Sequence, residues 1–328
     1  MNSPIILVRV PFRISLGGGS TDLPSYYKKY GGFVFGVAIN LYMDILIKNT
    51  KSDNLIHVHY RQFESVDHPK KVEHELAREA LLALGIRDSV AISFKADTPA
   101  GTGLGSSGAC TVALLKGLSV FSGNEISNKI AAEKSFFITQ KLGLPDGPQD
   151  PYLCSVGGFT VLNIDKDGEI EIIKPRIKKE ISKNFFDNTL FFYTGVKRDS
   201  SKILAAQDHK KALELKHQTK NIGLEIYKSF ETGNLESFGP LLDEHWKIKK
   251  EMSGNISNPV FDGIYNKAKR AGALGGKIMG AGGGGYFMFY CGSKKSKDNV
   301  RQALKSFGMK EMFFDADLLG ARHKIISF

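Results

Sequence analysis

The sequence predicts an α+β protein in two domains. Segments of strand length and segments of helical period are mixed without strict alternation, which argues against a doubly wound sheet. A polar, lysine-rich stretch at 174–188 precedes a fresh apolar strand, the usual look of a junction between halves. A chain of 328 residues also exceeds what one hydrophobic core ordinarily organises. The expected halves are 1–180 and 181–328.

The elements follow in order. Ile5–Val10, Phe33–Lys48 (one strand or two) and Asn54–Tyr60 are apolar and β-branched, so they read as strands. Val72–Leu84 carries apolar residues at helical spacing and stops at Gly85, a natural C-terminal cap. Val90–Ala96 returns to strand. A glycine-rich turn from Pro99 to Gly108 then feeds a small-residue helix ending near Gly123, and a second helix covers about Ile126–Leu142. The loop GLPDGPQDPY leads into strands at Phe159–Ile164 and Glu169–Lys174. In the second half, Thr189–Tyr193 starts a strand, and long amphipathic helices are expected at Ser201–Glu231, Leu235–Met252 and Pro259–Ala271. The run Gly280–Gly285 sits between Lys277 and the strand Tyr286–Tyr290, and a helix near Asn299–Phe307 and a short strand close the chain.

Composition narrows the function. Lys plus Arg number 45 against 34 for Asp plus Glu, a formal charge of +11, which suits anionic ligands such as nucleotides or sugar phosphates. The basic pairs Lys178-Lys179, Lys210-Lys211 and Lys249-Lys250 lie in helix-periodic segments and read as solvated faces, so no nucleic-acid partner is expected. No apolar run reaches the roughly 18 residues of a membrane helix. The opening MNSPIILVRVPF lacks a basic n-region and a cleavage site, so a cytoplasmic protein is expected. Cys110, Cys154 and Cys291 are too far apart for zinc or redox chemistry and read as buried thiols.

In PAGTGLGSSGA, Gly101, Gly103, Gly105 and Gly108 strip side chains from a turn that feeds a helix, letting backbone N–H groups approach an anion. Ser106 and Ser107 add hydroxyls within reach of a phosphate oxygen or Mg²⁺. A Walker A loop is excluded, because Gly105-Ser106-Ser107 stands where that loop needs Gly-Lys-Ser/Thr. The dinucleotide fingerprint Gly103-x-Gly105-x-x-Gly108 lacks its acidic partner on a second strand, since Glu125 falls between two helices.

Three segments together, RVPFRISLGGGSTD (Arg9–Asp22), PAGTGLGSSGA (Pro99–Ala109) and GGKIMGAGGGGYF (Gly275–Phe287), resemble the GHMP kinases in sequence, order and separation. That family includes galactokinase, homoserine kinase, mevalonate kinase and phosphomevalonate kinase, and the resemblance covers nearly the whole chain. It implies an N-terminal mixed β/α domain containing the glycine-loop helix and a C-terminal ferredoxin-like α/β sandwich. It also implies an ATP-dependent kinase using Mg²⁺, with ATP on Pro99, Gly101, Gly103, Leu104, Gly105, Ser106, Ser107 and Gly108.

The resemblance assigns the chemistry residue by residue. Asp150, in GPQDPY, matches the aspartate facing the acceptor hydroxyl, as base or orienting group, and Arg13 matches the basic residue beside it. Asp22 matches a carboxylate that accepts hydrogen bonds from sugar hydroxyls, flanked by Gly18, Gly19, Ser20 and Thr21. Gly280, Gly282 and Gly283 match the third glycine loop, which closes over the substrate. The strings GGGSTD, LGLPDGPQDPY, TGVKRDSSKIL, HWKIKK and ISNPVFDGIY resemble the heptose 7-phosphate kinases of the family, with fucose kinases as near relatives. The implied reaction is phosphorylation of the anomeric hydroxyl of a heptose 7-phosphate, with Arg198, Lys202, Lys247 and Lys250 as candidates for gripping the sugar phosphate.

Two positions depart from the family pattern. Ile138 stands where sugar kinases place a Mg²⁺-binding glutamate, leaving Ser107 and Glu133 as candidate metal ligands, and Pro151 replaces a glutamine. Alternative readings are another small-molecule kinase of fucose or galactose type, or a regulator that binds sugar and ATP without turnover. The expected partner is a small-molecule sugar or sugar phosphate, with no nucleic acid or membrane and a homodimer allowed.

Overall fold

Runs of β-branched and aromatic residues assemble into two sheets in the computed structural model, which describes residues 4–198, 200–205 and 210–327. The strands are β1 (Ile5–Gly17), β2 (Gly32–Asn49), β3 (Ile56–His59), β4 (Phe63–Val66), β5 (Val90–Ala96), β6 (Phe159–Ile164), β7 (Ile170–Ile173), β8 (Thr189–Tyr193), β9 (Ala273–Ile278), β10 (Tyr286–Cys291), β11 (Lys310–Met312) and β12 (Arg322–Ile326). The helices are α1 (Pro24–Tyr30), α2 (Glu75–Ala83), α3 (Ser106–Phe121), α4 (Asn128–Lys141), α5 (Gln149–Val156), α6 (Lys179–Asp187), α7 (Ser200–Ala205), α8 (Lys210–Thr232), α9 (Phe238–Met252), α10 (Pro259–Arg270) and α11 (Lys294–Leu304).

The first sheet runs β12-β1-β2-β5-β3-β4, with β6 and then β7 branching from β2. This branching explains why Phe33–Lys48 read ambiguously as one strand or two. It is a single strand whose first half pairs β6 and whose second half pairs β5, on the edge away from β1. The second sheet is antiparallel, in the order β11-β8-β10-β9. Although β12 belongs to the second half of the sequence, it forms an edge of the first sheet beside β1.

Helix α3 is buried from Gly108 to Ser119 because its small residues let it lie close on the first sheet. A Cβ at Gly117 would stand 2.5 Å from Ile47 Cδ1 and 2.8 Å from Val8 Cγ2. Around it Phe12, Ile14, Leu16, Val37, Ile45, Leu114 and Leu118 form the main core. A second core of Trp246, Ile264, Phe287 and Phe289 lies between β8–β10 and helices α9 and α10.

Several elements escape a local reading. The segment 174–188, expected as a polar junction, contains α6, pinned by buried Phe185 and Phe186. Three prolines made 143–152 look like loop, yet Pro148 caps α5 and Pro151 falls in its first turn, where a missing N–H costs little. In β9 two glycines disguise a strand. Gly275 lies against the backbone of Gly239 on α9, and Gly276 beside the ring of Phe289. The helix expected over Ser201–Glu231 is α7 and α8, and its residues 206–209 lie outside the described residues.

Helix α8 meets the end of β1 at a glycine contact. A Cβ on Gly223 would stand 2.5 Å from Gly18 N and 2.9 Å from Gly18 Cα. Gly223→Ala therefore gains about 1 kcal/mol of helix propensity but suffers overpacking of about 1–3 kcal/mol against backbone that cannot rotate away. The net expectation is a lower urea midpoint, and a higher one would show that the approach imposes no constraint.

Candidate active site

The loop after β5 turns through Gly101, Gly103 and Gly105 at φ of 76°, 84° and 78°, the left-handed region that glycine enters without strain. Gly105 caps α3 and has no side chain to bond the first-turn N–H groups, which are left as donors at the positive end of the helix. Pro99, Gly101, Gly103, Gly105, Ser106 and Ser107 line a cleft of about 990 Å³. Leu104 instead is buried, and its carbonyl accepts from the backbone N–H of Arg13 at 3.0 Å. Gly108 lets α5 approach: a Cβ there would stand 2.6 Å from Pro151 N and 2.8 Å from Asp150 Cβ.

That approach sets Asp150 beside the start of α3. Arg13, only 2% exposed, donates from Nε at 2.9 Å and Nη2 at 2.5 Å to Oδ1 of Asp150, and from Nη1 to the Gly103 carbonyl at 2.7 Å. One guanidinium thus ties β1, the glycine loop and α5 together, and Oδ2 of Asp150 takes none of these bonds. Asp22 is fully buried; its Oδ2 accepts from the Gln149 N–H at 3.2 Å, while Oδ1 has no partner. Burial, then the nearby Asp150, pushes the Asp22 carboxyl up to about 6. Asp22 itself is not among the residues that line the cleft, whereas Asp146, which the sequence reading did not single out, lines it beside Asp150, pushed up to about 7 by burial and then by Asp150 and Asp22. Its Pro-Asp-Gly setting reads as a turn, and its signal was a second aspartate four residues before Asp150.

The remaining candidates divide. Gly19 and Ser20 line the cleft, whereas Gly18 and Thr21 build the turn: Thr21 Oγ1 donates to the Gly18 and Phe33 carbonyls, both at 2.7 Å. Gly280 lines the cleft beside Gly103, but Gly282 and Gly283 pack against Ile256 and Asn255. The backbone N–H of Arg198 donates to Gly101 at 3.3 Å, and its Nη2 reaches the Met279 carbonyl at 3.4 Å, so it bridges the two glycine loops. Lys202 is exposed on α7 and is not among the cleft residues. Lys247 pairs with Asp243 at 2.8 Å and Lys250 with Asp262 at 3.0 Å, both away from the cleft.

Two expectations need correction. Glu133 does not reach the cleft: it lies on the outer face of α4, 3.8 Å from Lys129, because Ile138 takes the inward face. Lys249, read as part of a solvated pair, is buried. On α9 it continues the stripe Leu242, His245, Trp246, Met252, all buried, and this helical spacing was the available signal. His245, Lys249 and Lys277 all line the cleft, as do Tyr60, His74 and Phe94, an aromatic wall beside β5. In that wall His74 stacks on Phe94 with ring centres 4.8 Å apart and meets the Tyr60 ring edge-on at 4.9 Å.

Free N–H groups at the head of α3 and two adjacent hydroxyls fit a nucleotide's phosphates, and the aromatic wall offers a face for a base. A protein-built metal cage is a different matter. Among the described residues no three His, Cys, Asp or Glu side chains gather closely enough to hold an ion. Also among the described residues, no helix is long and apolar enough to cross a membrane.

The raised carboxyl of Asp146 has a pH consequence. A folded-state pKa above the ordinary value means the native state binds the extra proton, so stability falls as pH rises from about 4 through about 7. Asp146→Asn should therefore raise the melting temperature of the ligand-free protein at pH 8, by roughly 1–2 kcal/mol of stability, with the gain vanishing near pH 4. A gain independent of pH would show that repulsion at Asp146 is not its source.

Comparison with known proteins places these features in company. Residues 68–158 match the sequence profile of the GHMP kinases N terminal domain, and residues 226–310 that of the GHMP kinases C terminal region. The chain is 26% identical to the D-glycero-alpha-D-manno-heptose 7-phosphate kinase of Campylobacter jejuni over 94% of its own length and 96% of the relative's. It is 24% identical to the bifunctional fucokinase/GDP-fucose pyrophosphorylase of Arabidopsis thaliana, over 91% of this chain but 31% of that longer protein. Among solved structures, a D-glycero-D-manno-heptose 1-phosphate kinase from Bacteroides thetaiotaomicron superposes with a TM-score of 0.83 at 23% identity, covering 98% of this chain and 100% of that one.

Proposed function

The chain belongs to the GHMP kinases, ATP-dependent phosphotransferases; from that premise we propose that it acts on a sugar and that its acceptor is the anomeric hydroxyl of a heptose 7-phosphate, giving the 1,7-bisphosphate. The observation that carries the reading is the placement of Asp150 beside the head of α3, its Oδ1 fixed by Arg13 and its Oδ2 free of those bonds. The relative from Campylobacter jejuni supports the choice of heptose. A nucleotide supplies the phosphoryl group; everything else falls to the side chains. The free oxygen of Asp150 accepts the hydroxyl proton and becomes neutral as the acceptor oxygen bonds to the phosphorus and ADP leaves, while Arg13, keeping its own bonds, faces the negative charge that develops on the acceptor oxygen. Gln149 lines the cleft with an unpartnered acceptor, Oε1, suited to a sugar hydroxyl, and Asp22, whose Oδ1 also lacks a partner, lies buried behind the lining.

Mg²⁺ belongs to the same proposal: Ser107 is the protein group that would meet it, with the nucleotide's own phosphates supplying the charge that a carboxylate supplies elsewhere. Division of the chain near residue 180 and residence in the cytoplasm are further parts of this reading.

Asp150→Asn keeps the shape of the site and removes the proton acceptor. Sugar-dependent ADP release should drop about 10²–10⁴-fold while ATP still raises the melting temperature. Full ADP release by this variant would remove Asp150 from the chemistry.

A further inference from the structure

We propose that Lys249, Lys277 and His245 form an anion subsite, distinct from the head of α3, that holds the phosphate already carried by the acceptor. The proposal rests on the kinase reading above and adds to it the residues that recognise the substrate's charge. All three side chains line the cleft and are nearly fully buried, at 8%, 2% and 2% exposure. His245 and Lys249 are one helical turn apart on the inward face of α9, and Lys277 comes from the adjacent strand β9.

Buried cations normally meet carboxylates, and these do not. Lys249 Nζ donates to the Gly280 carbonyl, and Lys277 Nζ to the Leu16 carbonyl at 3.3 Å. Among the described residues no carboxylate lies within 4.0 Å of either amine. Neither ring nitrogen of His245 has a hydrogen-bond partner, although both are buried. A lysine serving only to tie a loop would need no second amine and no open imidazole beside it; a methionine or glutamine would fill the space without a desolvated charge. The electrostatics agree. Burial, then Arg198 and Arg13, brings Lys249 down to about 7 against a partial pull upward from Asp22; burial and neighbouring cations, Lys249 and Arg13 for Lys277 and the two lysines for His245, hold both well below their ordinary values. A dianion between them relieves desolvation and mutual repulsion together, accepting hydrogen bonds from two amines and an imidazole.

The subsite lies between the nucleotide loop and the turn that carries Asp22. Gly280, which takes the Lys249 bond, lies against Gly103, while Leu16, which takes the Lys277 bond, leads directly into the turn that carries Asp22. Lys277 is therefore tied to the strand that leads to the Asp22 turn, and Lys249 stands between it and the glycine loop. This also replaces Lys202, Lys247 and Lys250 as the residues that grip the phosphate, because those side chains face outward from α7 and α9.

The test measures ADP release by the full chain with D-glycero-D-manno-heptose 7-phosphate and with the same heptose lacking its phosphate. Lys249→Gln should raise KM for the phosphorylated sugar by about 10–100-fold, leave KM for ATP unchanged and erase the preference over the unphosphorylated sugar. Lys249→Met, which keeps the apolar stem, decides the matter if the glutamine variant does not fold. An unchanged KM for the sugar phosphate overturns the proposal, and a raised KM for ATP instead gives the amines to the nucleotide and overturns it equally. Should the wild type turn over neither sugar, the proposed function fails, and inorganic phosphate judges the subsite by itself. With the nucleotide loop filled by a non-hydrolysable ATP analogue, phosphate should raise the melting temperature of the wild type but not of Lys249→Met. Equal shifts in both, or none in the wild type, reject the subsite.

Discussion

One guanidinium organises the cleft. Arg13 is buried among three elements and satisfies a carboxylate, a loop carbonyl and, through its backbone N–H, the Leu104 carbonyl near the end of the glycine turn. Such a buried pair adds little net stability, since desolvation offsets most of the attraction, but it fixes position: moving any one element leaves a charge uncompensated in a dry site. Gly105 and Gly108 make the arrangement sterically feasible. A Cβ at Gly105 would stand 3.1 Å from Arg13 Cγ and 3.4 Å from Asp150 Cγ, and one at Gly108 would strike the backbone of α5. The glycines that expose N–H groups to an anion are thus the same ones that admit the acid–base pair.

Around that pair the cleft is electrically divided. The first half of the sequence sets Asp146 and Asp150 in the lining, with Asp22 buried behind it, and the second contributes Arg198, Lys249 and Lys277. Carboxyls pushed up and amines pushed down share their causes: burial first, and then like charges that the backbone holds near each other. Perturbation of this kind gathers at sites built for ligands, where folding stability is given up for charges the substrate will meet.

The scaffold explains how two halves can face each other so closely. β12 returns from the second half to lie along β1, and α8 crosses the end of β1 at a glycine-on-glycine contact. The turn bearing Asp22 therefore leaves β1 at a point braced by both halves. Lys277, on β9, can then donate to Leu16, the residue just before that turn.

The glycine turn, the strand and helix that flank it, and the pairing of Arg13 with Asp150 could be read in advance. Positive φ, apolar period and motif order are written in a few adjacent residues. Asp146, His245, Lys249 and Lys277 could not be assembled that way, because their chemistry comes from burial, and burial depends on what packs opposite. Glu133 shows the same limit from the other side. Its place on α4 was legible, but the face it occupies was settled when Ile138 turned inward toward the core. Local backbone preference thus belonged to the sequence, whereas the pairing, desolvation and direction of charged side chains belonged to the tertiary structure, since electrostatic energy depends on neighbours that lie far away along the chain.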